Sequence, residues 1–236
     1  MRMSVAIPTY ESRGRGNEFL DDLFRTLEIQ TFKNFEVVIS DHSKNDDLVD
    51  VIDKFQNKFD ILYFKNKNDR GNGPANNNNA IDKCSGDIIK IMYQDDFFYD
   101  DEALQKIHDS FDDDHDWLVC GSNHTQDDGY NFYWDLYPKW NVDIIEGVNS
   151  ISSPSVMAAR KKVFDQIKFD EKLVMMMDCE IYYHIKNKFG DPIYLHDILV
   201  SNRIHSEQIS SEYASSSDYS IKLLKEVNYC KSKHLK

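Results

Sequence analysis

The residues best equipped for chemistry are Asp95 and Asp96, two adjacent carboxylates that follow the apolar run in "DIIKIMYQDD". Charges that close raise the pKa of at least one of the pair unless a cation neutralises them. Carboxylate ligands suit Mg²⁺ or Mn²⁺, which commonly bridge a protein to phosphate oxygens. A solvated turn that caps the following helix is the plainer alternative, and the pair alone leaves both open. Other apolar runs also end in polar groups: "VAI" in Pro8, Thr9, Tyr10 and Glu11, and "VVIS" in Asp41. Asp178 and Glu180 follow three methionines, Met175 to Met177. An acid among apolar neighbours has a raised pKa, which suits a general base, whereas acids opening a helix are also favoured by its dipole.

These positions need elements that bring them together. "MSVAIPTY", "FEVVISDHS", "DILYFKN", "DIIKIMY" and "DWLVCGSN" read as strands. Helical spacing appears in "NEFLDDLFRTLEIQ", where Phe19, Leu20, Leu23, Phe24 and Leu27 share a face, and again in "DDLVDVIDKFQNKF" and "DDEALQKIHDSF". The segment "GPANNNNAIDKCSG" reads as a loop leading into a short helix. Strands alternating with helices through short connections imply an α/β fold with a mostly parallel central sheet and helices on both faces. Ligands of such sheets bind outside the carboxyl ends of the strands, where these residues fall. Beyond Asn123 the expected elements are a strand and helix in "SPSVMAARKKVFDQI", a helix in "MMMDCEIYYHIKNKF" and a last strand in "IYLHDILVSNRI". The expected organisation is one domain over 1–215, in two halves at 1–122 and 123–215. A basic helical tail follows at 216–236.

Composition narrows the partners. The chain of 236 residues carries 28 Lys plus Arg against 41 Asp plus Glu, a net charge of −13, which argues against a nucleic-acid binder. The cysteines at 84, 120, 179 and 230 form no CxxC pair, so reduced thiols in a cytoplasmic protein are expected. No apolar stretch approaches the ~20 residues that span a bilayer. Peripheral contact of the tail with a membrane is left open. Asp112, Asp114 and Asp116 begin a calcium-loop spacing, but Trp117 and Asn123 occupy the required Gly and Glu positions. No GxxxxGK[ST] loop is present, which excludes a P-loop NTPase.

Together, "VAIPTYE", "QTFKNFEVVISDHS" and "GDIIKIMYQDD" resemble the family 2 glycosyltransferases of the GT-A fold, most clearly from about Ser4 to Phe111. The resemblance implies that Pro8, Thr9, Tyr10 and Glu11 line a nucleoside pocket and that Asp41 accepts a ring N–H of the base. Gln94 and Asp95 join that donor set. A metal would be held by Asp95, Asp96 and His205, the last from "NRIHSEQIS", with Asp96 expected to stand closer than Asp95. Tyr93 stands where the family often has a first Asp. "NDRGNGPANNNNAI" resembles the segment that ends Ala-Arg-Asn; Asn77 replaces the Arg, Asn78 matches the Asn, and Arg70 would supply charge to the diphosphate. "MMMDCEIYYHI" resembles the Glu-Asp motif, with Asp178 as the base, Met177 in place of the Glu and Glu180 as fallback. Trp134 and Trp140 would offer faces for a sugar.

The implied activity is inverting transfer of a hexose-type sugar from a nucleotide diphosphate donor, a UDP-sugar foremost, to a glycan or lipid-linked acceptor. Mn²⁺ or Mg²⁺ would assist. A nucleotidyltransferase of related fold and a non-catalytic nucleotide-sugar binder are the alternatives.

Overall fold

The computed structural model describes residues 1–126, 129–206, 208 and 216–235. Four strands, β1 (Met3–Thr9), β2 (Phe35–Asp41), β3 (Asp60–Lys65) and β4 (Ile88–Ile91), run parallel. Every residue of β2 is buried, as expected of a parallel strand covered on both faces. The connections are α1 (Gly16–Glu28), α2 (Val49–Phe55) and α3 (Gly73–Asp82). α1 buries Phe19, Leu20, Leu23, Phe24 and Leu27, the stripe expected from spacing. Each such side chain contributes roughly 1.5–3 kcal/mol on burial.

β5 (Phe97–Phe98) and α4 (Ala103–Ser110) lead into the long β6 (Trp117–Thr125), against which β7 (Phe132–Leu136) folds back. β8 (Met157–Arg160) fits antiparallel between β4 and β6 and is followed by the short α5 (Lys161–Phe164). α6 (Met177–Phe189) precedes β9 (Ile193–Arg203), which runs parallel to β6 and pairs antiparallel with β5. The sheet order is β3-β2-β1-β4-β8-β6-β9-β5. One reversed strand at its centre and short strands at one end therefore interrupt a mostly parallel sheet. The expected cut after residue 122 falls inside β6, and β8 and β9 share the same sheet as β1 to β4.

Two segments differ from expectation. The asparagine run is helix and not loop. The Asn72 side chain caps α3 by accepting from Ala75 N at 3.0 Å, and Pro74 lies in the first turn. The tail is also built in. It forms α7 (Tyr219–His234), buries Val227 and Cys230, and its Glu226 accepts hydrogen bonds from the backbone N–H groups of Val174, Met175 and Met176. Ser210 of "NRIHSEQIS" and the expected boundary at residue 215 lie outside the described residues. Among the described residues, no helix is long and apolar enough to cross a membrane.

Candidate active site

Parallel pairing aligns the ends of β1, β2 and β3, with Thr9 opposite Asp41 and Asp41 opposite Lys65. Asp41 is fully buried and already partnered. One oxygen accepts from Ser43 N at 2.8 Å and from Thr9 Oγ1 at 3.3 Å. The other accepts from Tyr63 Oη at 2.9 Å and lies 3.0 Å from Lys65 Nζ. A carboxylate offers about four lone-pair sites, so these donors fill it. Burial, and then the bond to Asp41, pushes the Tyr63 phenol well up. Beyond Lys65 opens a basin of about 620 Å³ lined by Lys44, Asp46, Lys65, Lys67 and Arg70. Arg70 thus belongs to a cationic cluster.

The rim continues toward the acidic pair. Pro8 is half-buried and pairs with Ser40, while Glu11 accepts from Lys44 N at 3.2 Å. Gln94 is buried and staples two strand ends. Its Oε1 accepts from Tyr10 N at 2.7 Å and its Nε2 donates to Tyr10 O at 2.9 Å. The antiparallel register of Phe97 with Ser201, carried back two residues, sets Asp95 against Arg203 and brings the end of β9 to the pair. Asp95 Oδ2 lies 3.0 Å from His205 Nε2, and the His205 ring packs on Phe19 with centroids 4.6 Å apart. Asp96 turns inward and is buried. It accepts from Arg203 N at 3.2 Å and from Ser153 Oγ at 3.3 Å. Burial, and then the charge of Asp95, raises its pKa strongly.

The order expected for the two carboxylates is therefore reversed: Asp95, with its side chain 24% exposed, is the reachable one. The 3.0 Å separation of Asp95 Oδ2 and His205 Nε2 is that of a bonded pair, and it is also short enough for both atoms to serve one divalent ion with bonds of about 2.1 Å. Divalent ions in such sites take few protein ligands and complete their shell with phosphate and water, so the residues fit.

Tyr93 precedes the acidic pair by two residues. Its hydroxyl accepts from Asn77 Nδ2 at 3.1 Å. Burial raises its pKa first, and the charges of Asp178, Asp96 and Asp95 raise it further. Asp178 is half-buried and makes no hydrogen bond or ion pair with a described residue. Burial alone pushes its pKa up to about 7. Its entry loop is fixed from behind by Glu226.

Other expected residues face elsewhere. Glu180 is fully buried and points to α7, with Oε1 2.8 Å from Lys233 Nζ and 2.6 Å from His234 Nε2. Asn78 ties α3 to a distant loop through Phe169 N and O, both at 2.9 Å. Trp140 packs against Tyr183 on α6, whereas Trp134 is exposed on β7. Sequence reasoning missed Lys65, Tyr63 and Glu226, which contact the expected residues. Lys65 was findable, because the end of the third strand falls beside Asp41 in a parallel sheet.

The sequence model of the family described as Glycosyl transferase family 2 matches residues 4–181. The GalNAc(5)-diNAcBac-PP-undecaprenol beta-1,3-glucosyltransferase of Campylobacter jejuni is 30% identical over 96 residues, covering 40% of this chain and 30% of that protein. The poly(ribitol-phosphate) beta-N-acetylglucosaminyltransferase TarS of Staphylococcus aureus is 26% identical over 99 residues, 41% of this chain and 17% of TarS. The chain thus matches less than a third of either relative's length. Among solved structures, S. aureus TarS 1-349 in complex with UDP-GlcNAc superposes with a TM-score of 0.72 at 20% identity, covering 98% of this chain and 66% of that one. A Pyrobaculum calidifontis mannosyltransferase in complex with GDP-Man and Mn²⁺ gives 0.70 at 12% identity, covering 97% and 64%. At these identities the likeness carries the fold, which is the GT-A type. The family match spans most of the chain and includes Asp41, the acidic pair and Asp178: this chain belongs to glycosyl transferase family 2.

Proposed function

We propose that this chain transfers a sugar from a nucleotide diphosphate donor, a UDP-sugar foremost, to a hydroxyl of a glycan or lipid-linked acceptor, with inversion. The observation that carries this reading is an Asp95–His205 pair at the strand ends together with an Asp178 that opens α6 without a hydrogen-bond or ion-pair partner among the described residues. The pair offers carboxylate and imidazole for a diphosphate-bound ion, and Asp178 offers a base. The UDP-GlcNAc and GDP-Man/Mn²⁺ complexes of structural neighbours support donor and metal, and the lipid-linked and polymer substrates named for relatives support the acceptor class.

Asp95 and His205 would hold Mn²⁺ or Mg²⁺, with Asp96 bracing the turn that presents them. A bound ion would supply charge neutralisation to the departing diphosphate. Thr9, Tyr10 and Glu11 line the nucleoside side, where the Asp41–Lys65–Tyr63 cluster meets the base. A uracil N–H can reach Asp41 only by displacing one of its present donors. Lys65 can swing toward the neighbouring basin. Asp178 takes the proton of the acceptor hydroxyl as that oxygen attacks the anomeric carbon. A pKa near 7 leaves it basic enough to accept that proton while about half ionised in neutral solution.

The test is incubation with UDP-sugars and Mn²⁺, with and without saccharide acceptors, followed by product analysis. Release of UDP supports glycosyl transfer. Pyrophosphate released in a parallel incubation with UTP and a sugar 1-phosphate would mean nucleotidyl transfer, and binding without any turnover would mean a nucleotide-sugar sensor.

A further inference from the structure

The first two turns of α6 hold a group of residues that the transfer reaction does not use. Glu180 and His184 are one turn apart on α6, and His234 reaches them from the end of α7. Glu180 Oε1 lies 2.6 Å from His234 Nε2 and 3.8 Å from His184 Nδ1, and one ligand atom from each residue falls within 4.8 Å of the others. Among the described residues this is the only such three-ligand cluster. Two of its polar atoms are orphaned. Glu180 Oε2 and His184 Nδ1 are both buried and have no hydrogen-bond partner, and the Glu180 side chain is completely enclosed. Leaving such atoms unsatisfied is costly, so native proteins supply them with a partner.

We propose that Glu180, His184 and His234 form a second, zinc-type metal site, separate from the Asp95–His205 position, that fastens α7 to α6. One carboxylate and two imidazoles are a normal zinc donor set, and water can take the fourth position. The 2.6 and 3.8 Å spacings bracket the ~3.3 Å edge of a tetrahedron with bonds of about 2.0 Å. Lys233 is the competing cation. Its Nζ is 2.8 Å from Glu180 Oε1 but also 2.7 Å from Asp170 Oδ2. On metal entry it can release Glu180 and keep Asp170, so no charge is stranded. The consequence reaches the acceptor side. α6 carries Asp178 at its start, and α7 already holds the preceding loop through Glu226. A metal held by Glu180 and His184 would pin the end of α7 to the first turns of α6, close to Asp178.

The experiment uses untagged full-length protein, stripped with chelator and free of nucleotide, titrated calorimetrically with Zn²⁺ and spectroscopically with Co²⁺. We expect one zinc equivalent, tetrahedral-type visible absorption from Co²⁺, and a melting temperature raised by Zn²⁺. His184→Ala and His234→Ala should each weaken binding by at least ~10-fold and remove the thermal shift. His184→Ala removes no hydrogen bond, so it keeps the test clear of folding defects. Asp95→Asn should leave zinc affinity unchanged. No binding at micromolar Zn²⁺, binding unchanged in both histidine variants, or binding lost in Asp95→Asn would each overturn the proposal.

Discussion

Asp41 and Asp178 are both acids at the crevice, and their surroundings are opposite. Asp41 is sealed and shares its two oxygens among Ser43, Thr9, Tyr63 and Lys65. Asp178 has no described partner and is destabilised as a charge by burial. A carboxylate whose lone pairs are all taken by donors is a fixed landmark. An unpartnered one costs stability and stays available for a proton. The contrast separates recognition from chemistry within a single site, and substitutions at each end should reveal it in different observables.

The largest effect should come from the chemical end. Asp178→Asn keeps the shape and removes the proton acceptor, so transfer should fall by ~10²–10⁴-fold while UDP affinity measured by calorimetry stays near wild type. In the wild type, kcat/KM should rise with pH up to about 7 and then level off, because the base must be ionised. Equal rates in the two proteins would end the contrast at once. Next come the metal-side residues. Asp95→Asn or His205→Ala should weaken Mn²⁺-dependent donor binding by roughly 10–100-fold. Asp96→Asn should act mainly by loosening the bonds to Arg203 and Ser153. Full activity in excess chelator would remove the ion from the reading.

At the recognition end the expected change is smaller and of another kind. Asp41→Ala strands Lys65 and Tyr63 as well as any base N–H, at a cost of roughly 1–3 kcal/mol in UDP affinity and a comparable loss of stability. Lys65→Met is the sharper probe. If a uracil N–H must displace Lys65, removing it should tighten UDP binding through the base while weakening phosphate attraction at low salt. UDP affinity unchanged in both variants would show that the base binds away from Asp41.

How much of this was legible follows from the range of the interactions. The strand ends were readable because apolar runs and short connections are local signals, and in the structure Thr9 lies beside Asp41 while Gln94, next to Asp95, is bonded to Tyr10. The orientation of adjacent carboxylates was not readable. Neighbouring residues face opposite ways, and which one turns inward depends on β9, over a hundred residues further along. The saturation of Asp41 was hidden because Tyr63 and Lys65 act from β3, two apart and on the same face as each other. The helix at Asn76 to Asn79 contradicts the weak helix propensity of asparagine. Its side chains hold Thr9 and Ser40 carbonyls, Tyr93, the Phe169 backbone and Ser40 Oγ in turn, so tertiary bonds override propensity. Glu180, expected as the fallback base, is instead bonded to Lys233 and His234, and nothing local reveals that α7 docks over it.

The smallest predicted effect bears most directly on what an unpartnered acid costs. The pKa of Asp178 is raised from the ordinary 3.8 to about 7 in the folded chain. Between about pH 4 and pH 7 the unfolded chain has therefore lost this proton while the native chain retains it. The native state binds more protons across that window, so stability falls as pH rises through it and levels off above 7. Asp178→Asn cannot ionise and removes this slope. The variant should match wild type near pH 4 and exceed it above pH 7 by on the order of 1–2 kcal/mol, once solvent at the exposed edge of Asp178 is discounted. That corresponds to a few degrees in melting temperature for a chain of this size. Denaturation curves of both proteins at several pH values between 4.5 and 8 measure the gap. A gap that widens with pH means that the protein gives up stability to keep a base ready. A constant gap would mean that Asp178 is as well solvated as a surface acid, and the opposition between the two ends of the crevice would fall away.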